Sequence, residues 1–276
     1  MNDSDDFEKE EDAEPGRDIV RSVVKAFRIL ESFTDLQKEA TVSEIAAATG
    51  LGRAVTYRMA MTLEYIGYLE RGRDGKSYRL SLRCLNIGMN SLAGQDVRSL
   101  ASPRLRDLVP RYADAASLAI LDGADVVYID RVEQDLDRTG LVRRIGSRIP
   151  IYGAAVGFAL LAFLPRERQI EILGSQPRRK LSEHTVTDLD ELLEILMETN
   201  RRGYALSDQQ NAFGLRTIAA PILDHTGMAV AAISGTIRAE RLDMEAFLAL
   251  SRDRIVDTAH QLSQATHALD EIQGKR

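Results

Sequence analysis

The sequence predicts an α+β chain in two parts: an N-terminal winged helix-turn-helix and, beyond a linker helix, a larger domain around an antiparallel sheet. Three observations predict it. Residues 41–67, TVSEIAAATGLGRAVTYRMAMTLEYIG, contain a helix start, a glycine break and a second helical repeat. Directly after them, GYLERGRDGKSYRLSLR places two short strand signals around a basic turn. From residue 119 onward, β-branched runs come in adjacent pairs with amphipathic stretches between and after them. That order suits helices packed on an antiparallel sheet.

In chain order, residues 1–18 read as an acidic tail. Eight acids against Lys9 give the first 16 residues −7, leaving the rest of a −6 chain at +1. Like charge at that density cannot pack a core. The tail serves solubility or competes with DNA for a basic face. In residues 19–33, Ile19, Val23, Ala26, Phe27, Leu30 and Phe33 recur at helical spacing, a packing helix under the hairpin. Thr41 with Glu44 three residues on forms a capping box, and Gly50 suits the left-handed residue that ends a helix. The second helix starts at Arg53, with Met59, Leu63 and Ile66 on its buried side. Asp74-Gly75 makes the turn between two wing strands. Residues 17–83 carry twelve Lys or Arg against eight Asp or Glu, so the positive charge lies where the hairpin lies.

A short turn between two helices also fits an ordinary helical hairpin; the basic wing is what points to double-stranded DNA. Arg53, Tyr57 and Arg58 are then candidates for base or phosphate contacts from the second helix. Arg71, Arg73 and Lys76 are candidates for phosphate or minor-groove contacts from the wing. Ser43, in the first turn of the helix opened by Thr41, is a candidate phosphate donor. Each of these charges also reads as a solvated surface group.

Residues 84–100 continue as a linker helix with Leu85, Met89, Leu92 and Val97 on one stripe, a place for two chains to pair. Cys84 reads as a small apolar residue on it. Pro103 marks a new start, and the second domain spans 101–273. Its expected strands are 119–121, 126–129, 139–145, 204–207, 217–222 and 228–236. Its expected helices are 103–114, 153–163, 166–174, 188–202 and 241–267.

Composition narrows the function. One cysteine excludes a disulfide framework and a cysteine metal cluster. The longest apolar run, 151–164, is too short to span a bilayer, and the acidic start is unlike a secretory signal, so a soluble cytoplasmic protein is expected. The four histidines, His184, His225, His260 and His267, lack metal-ligand spacing, and there is no nucleophile elbow or P-loop. No cofactor or enzyme activity is expected. Small and hydroxyl residues do gather at 152–157, 207–217 and 234–236, either as a ligand pocket or as close helix–sheet packing.

The chain resembles the IclR family of transcriptional regulators over residues 21–266. The matching segments are VSEIAAATGLGRAVTYRMAMTLEYIGYLER, IGSRIPIYGAAVGFALLAFLP and RRGYALSDQQNAFGLRTIAAPILDHTGMAVAAISG. The resemblance implies a GAF-like effector-binding domain, a homodimer or homotetramer, and promoter binding controlled by a small organic or aromatic acid. SYRLSLRCLNIG and GLRTIAAPI resemble the branch that regulates aromatic-acid catabolism. By motif position, the effector residues implied are Ala155, Val156, Ser207, Leu215, Thr217, Ser234 and Thr236. The sequence departs from the family pattern at Ser207, where an acid is common. It departs also at Gly52, where Ser or Pro is usual, and at Phe158, where Lys or Arg is common. The effector therefore does not transfer from a relative. The alternative is an enzyme carrying a winged helix for autoregulation, which requires a catalytic motif.

Overall fold

The computed structural model describes residues 19–34, 36–93, 96–134, 136 and 143–273, which form two compact units divided between Ser91 and Leu92. The acidic tail and most of the strand expected at 139–145 lie outside the described residues.

In the first unit, α1 (Arg21–Glu31), α2 (Val42–Thr49) and α3 (Arg53–Tyr65) enclose an aliphatic core with β1 (Ala40–Thr41), β2 (Leu69–Arg71) and β3 (Ser77–Leu80). The strands form an antiparallel sheet of order β1-β3-β2, so β2 and β3 make the wing. The capping box is present. The Thr41 amide donates to Glu44 Oε2 at 2.7 Å, and the Glu44 amide donates back to Thr41 Oγ1 at 3.4 Å. Gly50 closes α2 at φ 68°, a conformation that a Cβ disfavours. At the wing tip Asp74 Oδ1 accepts from the Lys76 amide, the Ser77 amide and the Ser77 hydroxyl. These bonds favour the ionised carboxyl and hold its pKa down to about 2.

Two buried faces differ from expectation. On α3, Thr56, Ala60 and Leu63 are buried, while Ile66 is exposed. The stripe is rotated because Leu63 and Ala60 pack toward Ile29 and Ile45, and Ile66 lies past the helix end. On α1 only Ile29 is fully buried, with Ala26, Leu30 and Phe33 beside it. Ile19, Val23 and Phe27 face outward with Val20 and Val24, since no described residue of the unit covers this face.

From α4 (Arg83–Ala93) the chain enters the second unit, whose α5 (Asp96–Leu108) runs through Pro103 instead of starting there. The burial of Val97, Ala101, Leu105 and Leu108, spaced by about one turn, outweighs the one amide that proline lacks. Then come β4 (Ala115–Asp122), β5 (Asp125–Glu133), β6 (Arg148–Pro150), α6 (Ala155–Leu161), α7 (Arg166–Gly174) and α8 (Leu189–Arg202). The last four elements are β7 (Ala205–Asp208), β8 (Leu215–Leu223), β9 (Ala229–Arg238) and α9 (Met244–Gln273). The sheet is antiparallel, of order β6-β5-β4-β9-β8-β7. β4 begins four residues before the expected start, because Ala115 to Leu118 pair with β9. Residues 143–145 are not strand. A turn at Ser147, with its amide on the Arg144 carbonyl and Gly146 at φ 86°, precedes β6, which pairs with β5.

Helices cover both faces of this sheet. α5 and α9 lie on Ile218, Ala220, Ile222, Ile233 and Leu118, while α6, α7 and α8 lie on the side of Ala119, Ala219 and Ala232. Every residue of α6 is buried. Its C-terminal carbonyls are met by Gln169 Nε2 on Leu161 O at 3.1 Å and by Asn200 Nδ2 on Ala162 O at 2.9 Å. Among the described residues no helix is long and apolar enough to cross a membrane.

Two outcomes follow from this packing. A Cβ at Gly157 would stand 2.0 Å from the Ile151 carbonyl oxygen, so Gly157→Ala is expected to destabilise the second unit by about 1–3 kcal/mol in chemical denaturation. Asp74 has a depressed pKa, so its contribution is present above the unfolded carboxyl value and is lost as pH falls through about 2. NMR titration should therefore find the Lys76 and Ser77 amide shifts flat from neutral pH to about pH 3, and Asp74→Ala should mobilise the wing tip throughout that range.

Candidate nucleic-acid interface and effector site

Arg53 is the first residue of α3, Tyr57 lies one turn on, and Arg58 follows; all three are exposed, Tyr57 by 47%. The N-cap is Gly52, which offers no side-chain acceptor, so the first amides of α3 and the Arg53 guanidinium share an open end. Ser43 is exposed in the first turn of α2. In the wing, Arg73 and Lys76 are exposed at the tip. The side chains of Arg53, Arg58, Arg73 and Lys76 have no ion-pair partner among the described residues.

Arg71 stands apart from these cations. Its Nε donates to both Glu64 oxygens, at 2.9 and 3.1 Å, and its guanidinium lies over the Tyr78 ring at 4.2 Å. The hydrogen bonds to Glu64 raise its pKa. Glu64 belongs to α3 and Tyr78 to β3, so Arg71 ties the second helix of the hairpin to the wing. Sequence reasoning missed that tie, because Glu64 and Arg71 are seven apart on different elements.

In the second unit, antiparallel pairing collects the hydroxyl residues into two rows. One row across the sheet is Ser207, Thr217, Thr236, Ala115 and Glu133; the next is Ala205, Ala219, Ser234, Ser117 and Arg131. Paired residues share a face, and the i, i+2 neighbours put both rows on the side that α6 covers. Thr217 and Thr236 hydroxyls meet at 3.0 Å. Ser207 and Ser234 are 4% and 2% exposed, and their hydroxyls have no protein partner among the described residues. Leu215 opens β8 on the same face, partly exposed. Ala155 and Val156 form the first turn of α6 and pack into the aliphatic core.

The structure adds residues that sequence reasoning did not name. Arg131 donates from Nη1 to Ser117 Oγ at 2.8 Å and from Nε to Glu133 Oε2 at 2.8 Å. Tyr128 is buried in β5 below it, and burial pushes its phenol up. Arg143 donates from Nη2 to Asn211 Oδ1 at 3.3 Å. Burial first, then the Arg131 charge, lowers the Arg143 pKa, with Tyr128 acting against both. The alternation through Ser117 and Arg131 was visible, but their pairing was not. Two clefts, of about 410 Å³ and about 430 Å³, open elsewhere, along Glu194, Glu198 and Arg202 and along Tyr204 and Arg252. Both are open grooves without the partnerless hydroxyls, so the polar rows remain the better candidate for a recognition site. Among the described residues no group of His, Cys, Asp or Glu is arranged to hold a metal ion.

Comparison with known proteins agrees with this architecture. Residues 22–73 match the IclR helix-turn-helix domain, and residues 89–264 match the C-terminal domain of the bacterial transcriptional regulator IclR. The chain is 29% identical to the transcriptional regulator XynR of Escherichia coli over 247 residues, covering 90% of this chain and 97% of that one. It is 31% identical over 222 residues to the Pca operon regulatory protein of Acinetobacter baylyi, covering 79% and 78%. Among solved structures, Thermotoga maritima IclR superposes with a TM-score of 0.74 at 28% identity, covering 90% of this chain and 99% of that one. An IclR homologue from Microbacterium hydrocarbonoxydans, complexed with 4-hydroxybenzoate, superposes with a TM-score of 0.73 at 25% identity, covering 88% and 99%. With matches over both units and a family model spanning more than half of its length, the chain belongs to the IclR family of bacterial transcriptional regulators.

Proposed function

We propose that this chain is a promoter-binding transcriptional regulator whose hold on double-stranded DNA is set by a small organic or aromatic acid bound on the polar rows of the second unit. The observation that carries the DNA part is the set of exposed cations on α3 and the wing tip, Arg53, Arg58, Arg73 and Lys76, which have no ion-pair partner among the described residues. A winged helix offering cations with no ion-pair partner among the described residues is matched to phosphate and groove contacts. Ser43 and Tyr57 add exposed hydroxyls on α2 and α3. Arg71 holds the wing against α3.

The effector part is supported by the Ser207, Leu215, Thr217, Ser234 and Thr236 face, and by the relatives. One solved homologue holds 4-hydroxybenzoate, and relatives include Pca regulators. Ala155 and Val156 would border the ligand through their backbone, since their side chains belong to the core. The exposed Val20, Val23, Val24 and Phe27 support pairing of two chains through α1, which suits a two-fold operator. Such a protein works in the cytoplasm, where the DNA is. The effector acts by linkage, through its different affinity for the DNA-competent and incompetent arrangements.

The test is fluorescence anisotropy on DNA from the gene's own upstream region, with and without a panel of carboxylic and aromatic acids. Saturable binding shifted by one acid is expected; binding no tighter than to random DNA at physiological salt overturns the reading. Arg53→Ala is expected to cost about 1–3 kcal/mol and to relax sequence preference. In salt titrations, Arg73→Ala and Lys76→Ala should each lower the log–log slope by about 1. Arg71→Ala should weaken binding at nearly unchanged slope, because its charge is already matched by Glu64.

A further inference from the structure

The polar face of the larger sheet is bordered by a cation that the fold leaves unbalanced. Arg143 is half-buried, its Nη2 makes one 3.3 Å bond to Asn211, and no carboxylate lies within ion-pair reach among the described residues. The neighbouring Arg131 is matched, with Glu133 on its Nε and Nη2 and Ser117 on its Nη1. Among the described residues the two guanidinium groups, in electrostatic reach of each other, have one ion-paired acid between them, and burial disfavours the Arg143 charge. A cation withdrawn from water without a counter-charge weakens a fold, so its position calls for an anion from outside the chain. A second observation points the same way. Ser234 pairs across the sheet with Ser117, the acceptor of the Arg131 bond. Ser234 and Ser207 are buried residues, and their hydroxyls have no protein partner among the described residues.

We propose that Arg143 is the anion-recognising residue of the effector site, gripping the carboxylate of an organic-acid effector. Asn211 holds the guanidinium in place, and the Ser207 and Ser234 hydroxyls receive the polar groups on the rest of the acid. The assignment rests on the effector reading above and adds the group that selects an acid over a neutral compound. Arginine suits this role because its planar fork meets both oxygens of a carboxylate. The Arg131 charge reinforces the field without being consumed, since Glu133 already holds it.

The experiment is thermal unfolding of the full chain with benzoate, 4-hydroxybenzoate, pyruvate or succinate at millimolar concentration. Each is set against its neutral amide and against inorganic phosphate. At least one acid should raise the Tm by several degrees while its amide does not. Arg143→Met should weaken that acid by at least about tenfold, the scale of one lost charge-assisted hydrogen bond, and Arg143→Lys should restore part of the loss. Without ligand, Arg143→Met should melt at or above the wild-type temperature, because an unbalanced buried charge has been removed.

The proposal is overturned if Arg143→Met responds like wild type or if the amide stabilises as well as its acid. Phosphate matching every acid, no acid stabilising the wild type, or a clearly lower melting temperature for unliganded Arg143→Met also overturns it. The last outcome would make Arg143 a structural prop. Upstream-DNA binding that is shifted by a neutral compound and not by any acid would retain the regulator reading while removing this one.

Discussion

A sheet covered by helices on both faces has no water to offer its side chains, and that constraint organises the second unit. Under α5 and α9 the solution is aliphatic, with Ile218, Ile222, Ile233 and Leu118 needing only contact. Under α6 the face divides. Small apolar residues, Ala119, Ala219 and Ala232, let the wholly buried α6 approach, and Gly157 permits the close contact with the Ile151 carbonyl. Beyond them hydroxyls take over, and each must find a partner or receive one. Thr217 and Thr236 satisfy each other, and Ser117 is satisfied by Arg131. Ser207 and Ser234 are left without a protein partner among the described residues.

The pairings that create these polar rows depend on one irregularity. Near the turn at Gly123, Leu121 faces Val126 and Ala119 faces Tyr128, the register that an unbroken hairpin carries forward. Carried on, it would set Ser117 against Asp130. A bulge at Ile129 shifts it, so that Ser117 meets Arg131 and Asp130 falls opposite Leu118. Because side chains alternate faces, the one-residue slip moves Arg131 to the polar side. The bulged Ile129 carbonyl is taken by Arg98 Nε at 2.9 Å, a bond from α5, far away in the chain. Nothing local in ADVVYIDRVE announces the slip. Ser207, Thr217, Ser234 and Thr236 were named as candidates from hydroxyl content and family resemblance. Arg131 and Arg143 were not, because their places depend on long-range register and on Asn211, 68 residues further along.

The first unit shows the reverse balance. Its caps and turns are local chemistry, and Thr41, Glu44, Gly50 and Asp74-Gly75 were read correctly from a few adjacent residues. What could not be read was which faces the tertiary contacts would select. Ile66 and Phe27 fit a helical stripe, yet both are exposed, since spacing defines a face without naming its partner. The same limit applies to charge. Arg71, Arg73 and Lys76 look alike along the chain. In the fold, Arg71 is committed to Glu64 and Tyr78, while the other two stay open to solvent.

An effector need not remodel this protein to control it. Typical coupling free energies between ligand sites are about 1–3 kcal/mol, and a hydrogen bond to a charged group contributes about 1.5–3 kcal/mol. One arginine–carboxylate contact made in one arrangement and lost in the other therefore accounts for regulation over a tenfold range or more. A ligand held only by apolar packing would have to differ between arrangements by the burial of several methylene groups to match it, at about 0.8 kcal/mol each. A half-buried cation with no carboxylate beside it among the described residues makes the difference larger still, because the acid both forms a strong contact and offsets the cost of burying the charge. Control by a single charge thus suits a site in which, among the described residues, Glu133 pairs with Arg131 and no carboxylate pairs with Arg143.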